Sequence, residues 1–91
     1  MIGMSVLFVE YMKDVFSSTL TLGSDTSKEL DKTIKLIPYD EIVFDFSGVR
    51  SMSFEFAKEY LSVKNNNNKS INEVNLSLDL RPIMDKASKS I

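Results

Sequence analysis

The segment between Ile42 and Leu61, IVFDFSGVRSMSFEFAKEYL, constrains the fold of this chain more than any other. Its opening IVFDF is almost continuously apolar and begins with two β-branched residues, the composition of a buried central strand covered on both faces. Ser47-Gly48 then supplies turn chemistry. Beyond it the apolar period changes: Phe56, Ala57, Tyr60 and Leu61 fall on one helical stripe. Ser53 stands where a helix N-cap is needed, with a hydroxyl able to accept from a backbone N–H that has no helical partner. A strand feeding a helix in this way is half of a βαβ unit. Sheets built from such units bind ligands and partners where their strands end.

The flanking segments extend the pattern. Val6 and Tyr11 bound VLFVEY, which reads as a strand. Lys13-Asp14 reads as a turn. Phe16, Leu20 and Leu22 share a parity, which predicts a second, half-exposed strand antiparallel to the first. Thr26 and Glu29 fit a capping box, and Leu30, Ile34 and Ile37 give a helix that must stop before Pro38. Residues 64–70 hold four consecutive asparagines and read as a flexible loop. Val74, Leu76 and Leu78 alternate with polar residues and predict a short strand. A last helix begins at Asp79 with Pro82 in its first turn, and Leu80, Ile83, Met84, Ala87 and Ile91 on one face. The expected order is ββαβαβα. That is an α/β fold with a mixed four-stranded sheet and three helices, joined by right-handed crossovers. At 91 residues the chain is read as one domain, residues 1–91, with residues 1–4 expected to be disordered.

Composition narrows the chemistry. Thirteen acidic against eleven basic residues leave a net charge of −2. Nucleic-acid binders show a basic face, so nucleic acid is not expected as a partner. There is no cysteine and no histidine. Disulfides, thiolate ligands and thiol nucleophiles are therefore excluded, as are the commonest general base and metal ligand. Neither a metal nor a cofactor is expected. No run reaches the roughly 18 apolar residues of a membrane span. The apolar start MIGMSVLFVEYM lacks a basic leader and is interrupted by Glu10, which makes a poor signal peptide. The expected location is cytoplasmic, with no membrane partner.

The strand and helix between Ile42 and Leu61 also carry a family likeness. Asp45, Phe46, Gly48, Val49, Ser53, Phe56, Ala57 and Glu59 follow the pattern DF-x-G-V, serine, F-A-x-E-L, with Tyr60 at the leucine position. Asn75-Leu76-Ser77 and Pro82-Ile83 add a weaker match. The chain resembles the STAS domain (sulfate transporter and anti-sigma-factor antagonist), and more closely the small STAS-like domains of unknown function. The resemblance spans Leu22 to Ala87. It implies a regulatory module whose partners include serine kinases of the histidine-kinase-like ATPase group. It also implies a switch, in some members, by phosphorylation of a serine at the start of the helix after the central strand. Here that position is Glu55, and the preceding aspartate is Ser53. A carboxylate at a helix N-terminus meets the same favourable field as a phosphate, with less charge. The expectation is a module fixed in one state and independent of phosphorylation. The competing reading is an ordinary first-turn carboxylate.

The remaining candidates have structural readings beside functional ones. Asp45 is expected to bond the donors of the turn, because an unpaired buried carboxylate is costly, and Gly48 to shape that turn. Asp45 and Glu55 as an acid–base pair would need a cleft that a chain this short can hardly build, so no enzyme is expected. Ser51 and Ser53 are explained by turn formation and capping, with Ser53 the candidate phosphoacceptor. Phe54 lies at the edge of the buried stripe, as an interface anchor or as the rim of the core. The function expected is a non-catalytic module that recognises another protein through Ser51, Ser53, Phe54 and Glu55. Two alternatives stay open: a small-ligand or nucleotide-binding subunit, and an oligomerising structural module. An apolar strand at a sheet edge invites pairing, so a homodimer through the segment bounded by Val6 and Tyr11 is also expected.

Overall fold

A computed structural model describes residues 7–91. Three strands form the main sheet: β1 (Leu7–Tyr11), β3 (Glu41–Asp45) and β5 (Ser70–Val74). Their order is β1-β3-β5 and both pairings are parallel. A second parallel pair joins β2 (Thr19–Leu20) to β4 (Ser51–Met52). Four helices complete the described residues: α1 (Met12–Val15), α2 (Thr26–Leu36), α3 (Phe54–Asn65) and α4 (Arg81–Ser88).

The α/β class stands, but the mixed four-stranded sheet does not. The observed order is βαβαββαβα. The expected turn at Lys13-Asp14 is a single helical turn, because Met12 must drop fully into the core immediately after β1. The expected second strand shrinks to two residues and pairs with β4, not with β1. Of the residues whose parity suggested it, only Leu20 is fully buried. Leu22 is 47% exposed. Phe16 instead packs edge-on against Phe56 of α3, ring centroids 5.3 Å apart. The last strand lies earlier than expected, at Ser70–Val74, because Asn75 takes a left-handed backbone (φ 57°) and ends it. Leu78, read as part of that strand, is 82% exposed. The capping box is also absent: the Thr26 hydroxyl accepts from Gly23 N at 2.7 Å, three residues upstream. α3 runs into the asparagine segment as far as Asn65, and Asn67 Nδ2 donates back to Val63 O at 3.0 Å. Val6 and residues 1–4 lie outside the described residues.

Alternation gives the main sheet two unlike faces. Phe8, Ile42, Phe44 and Ile71 turn toward the helices, where Ile42 and Phe44 are fully buried. Tyr60 of α3 meets Phe44 and Phe46 edge-on, at 5.7 and 6.0 Å between centroids. α3 packs against both α2 and α4, so one helical layer roofs this face. The other face presents Leu7, Val9, Tyr11, Val43 and Val74, all half-buried or exposed. Among the described residues the apolar run of β3 is therefore covered on one face and not on both.

Candidate functional site

The chain leaves β3 through a tightly bonded turn. Asp45 Oδ1 accepts from Ser47 N at 2.8 Å, from Ser47 Oγ at 2.6 Å and from Asn75 Nδ2 at 3.0 Å. These bonds tie the ends of β3 and β5 together, and they hold the Asp45 carboxyl below its ordinary titration range. The Ser47 hydroxyl is the largest cause, followed by Asn75. Gly48 is required by its backbone: its φ is 79°, whereas a Cβ would meet only the flexible, exposed side chain of Lys13, 3.0 Å from Cδ. Asp45 and Gly48 are thus scaffold. The three bonds of Asp45 do not include Glu55.

The next residues are anchored by the small sheet. Arg50 N donates to Ser18 O at 2.7 Å and Ser53 N to Leu20 O at 2.8 Å. Between these anchors Ser51 points to solvent. Ser53 caps α3, its hydroxyl accepting from Phe56 N at 3.0 Å. Phe54 and Glu55 then part company. Glu55 is exposed and borders an open depression with Leu22, Lys58 and Ile91. Phe54 is half-buried against the core, with the Lys58 ammonium 5.5 Å and the Lys86 ammonium 5.3 Å from its ring centroid. It therefore ties α3 to α4 as well as reaching the surface.

Three features escaped the sequence reading. The Tyr60 hydroxyl donates to Glu73 Oε2 at 2.6 Å, and the Lys64 ammonium sits 2.9 Å from the same oxygen. Burial and then the Glu73 charge push the Tyr60 phenol well above its ordinary range. The Lys69 ammonium donates to the carbonyls of Ile34 (2.8 Å) and Ile37, closing the end of α2 from a distant segment. Asn75 completes the Asp45 turn. Only Asn75 carried a local signal, since asparagine tolerates a left-handed backbone. The other pairings join positions far apart in sequence.

Among the described residues no group of three His, Cys, Asp or Glu is placed to hold a metal ion, and no helix is long and apolar enough to cross a membrane. No protein-family model, no curated protein and no solved structure matches this chain.

Proposed function

We propose that this chain is a small, non-catalytic regulatory module of the STAS-like kind, which recognises another protein through Ser51, Phe54 and Glu55. The observation that carries the reading is the placement of Glu55. It is an exposed carboxylate in the first turn of a helix whose start is fixed by the Ser53 cap and by the β2–β4 pair. The resemblance puts the phosphoacceptor serine at that position. A permanent charge there makes recognition independent of phosphorylation, and the amino end of α3 favours that charge. Ser53 is spent on the cap and is half-buried. The non-catalytic character is supported by Asp45 and Tyr60. Both have displaced titration, and both are committed to internal hydrogen bonds. A histidine-kinase-like ATPase is the partner class that the resemblance suggests.

The test begins with capture of the partner from the source cell by the tagged chain. The purified partner is then titrated with wild type, Glu55→Gln and Glu55→Ser. Both variants are expected to bind at least about tenfold more weakly, a loss of about 1.4 kcal/mol. Unchanged affinity in both refutes the fixed-charge reading.

A further inference from the structure

We propose that the partner protein meets Glu55 with an arginine, whose guanidinium spans Glu55 and Glu59 while its methylenes lie on Leu22. This rests on the reading of Glu55 as a contact residue, and names what meets it. The surface there is concave. Leu22, Glu55, Lys58, Glu59, Ser62 and Ile91 line an open depression of about 310 Å³ beside α3. That is the low end of ligand-pocket volumes, ~300–1,000 Å³, and suits one long side chain better than a nucleotide.

Charge and spacing choose the side chain. Glu55 and Glu59 are four residues apart on α3, so they are neighbours on one flank, with Cβ atoms roughly 5–6 Å apart. Like charges at that spacing oppose the helix. Among the described residues the ion pairs are Lys35–Asp31 and Lys64–Glu73, and neither Glu55 nor Glu59 takes part. Glu59 is nevertheless half-buried. The cation in the lining is Lys58, and its ammonium is engaged with the Phe54 ring, 5.5 Å from the centroid, and with neither carboxylate. An incoming cation therefore meets two carboxylates that no neighbour neutralises. A guanidinium spreads five donors over a rigid planar fork, a wider span than the compact ammonium of lysine offers. The stem of an arginine is apolar and packs on apolar surface while its head stays polar. Leu22 and Ile91, 47% and 53% exposed, supply that surface beside the carboxylates.

The probe is N-acetyl-arginine N-methylamide, titrated into the full chain and followed by backbone amide NMR. The lysine and citrulline analogues serve as controls. The arginine compound is expected to shift Leu22, Glu55, Glu59 and Ser62 along one saturable curve in the millimolar range. The lysine analogue is expected to bind at least about threefold more weakly. Citrulline keeps the shape without the charge and is expected to shift none of them. Glu59→Gln, outside the contact residues proposed above, is expected to weaken the arginine compound at least about threefold. Leu22→Ser is expected to weaken it as well, through the stem. The mapping on wild type stands even if a variant folds poorly. No saturable shift, shifts as large at the acidic pair Asp40 and Glu41, equal binding of the lysine analogue, or undiminished binding by Glu59→Gln would overturn the arginine assignment. Each of these leaves Glu55 as a contact, to be judged by its own titration with the partner. Partner affinity unchanged in Glu55→Gln would instead remove the contact, and the arginine with it, even where the compound binds.

Discussion

The two faces of the β1–β3–β5 sheet are drawn from the same three strands, yet only one is a core. The inner face puts Ile42 and Phe44 at full burial under α3. The outer face leaves Val9 and Tyr11 more than two-fifths exposed. Topology explains the difference. The strands lie in sequence order, β1-β3-β5, so both crossovers step in the same direction. Right-handed crossovers that never reverse lay every helix on one side. Among the described residues the same monotonic order leaves no switch point, where the strand order would reverse.

The largest expected effect tests this contrast directly. Phe44→Ala opens a cavity beneath Tyr60 and is expected to cost about 3–5 kcal/mol in urea unfolding. Val9→Ala on the outer face is expected to cost less than about 1 kcal/mol. A cost at Val9 equal to that at Phe44 would break the comparison, since it would mean that the outer face is already roofed in solution.

What the sequence revealed follows from how local each cause is. The helical stripe of Phe56, Ala57, Tyr60 and Leu61 and the Ser53 cap were legible because each depends on residues within a turn or two. The turn role of Asp45 was legible for the same reason, through Ser47. Its third partner, Asn75, lies across the sheet and was not. Alternation around Leu20 predicts a strand but carries no information on its neighbour, and β2 pairs with β4 where adjacency in sequence favours β1. The apolar run of β3 showed a buried strand. It could not show that the described residues place a covering layer on one face alone, because Val43 is apolar whether or not anything lies over it.

The polar clusters on the two faces should fail at opposite ends of the pH scale. Asp45, on the outer face, has its folded titration lowered by Ser47 and Asn75. A lowered carboxyl contributes stability that is present above its unfolded value, about 3.9, and lost as pH falls through the folded one. Asp45→Ala is expected to cost about 1.5–3 kcal/mol, toward the lower end because Ser47 and Asn75 are exposed. It is also expected to flatten the loss of stability below about pH 4. An unchanged acid limb would show that the outer cluster contributes nothing.

Tyr60, beneath the inner face, works the other way. Burial and Glu73 raise the phenol, so its contribution is complete below the unfolded value of about 10 and is lost as pH rises through the folded one. Tyr60→Phe removes the titrating group while Lys64 keeps its bond to Glu73. The expected cost at neutral pH is about 1–2 kcal/mol, with a shallower alkaline limb in thermal melts. A limb as steep as wild type would place the alkaline sensitivity elsewhere.

The smallest effects lie at the start of α3, where the helical roof of the inner face meets the proposed contact surface. Ser53→Ala leaves Phe56 N without its acceptor and is expected to cost about 1 kcal/mol. Glu55→Gln changes an exposed first-turn charge and is expected to cost only about 0.3 kcal/mol. The two substitutions are two residues apart but should separate two quantities. The cap variant should lower the melting temperature and spare partner affinity once folded. The charge variant should leave melting nearly unchanged and weaken the partner. If Glu55→Gln instead destabilises the fold as much as Ser53→Ala and leaves binding intact, Glu55 belongs to the helix and not to the surface it presents.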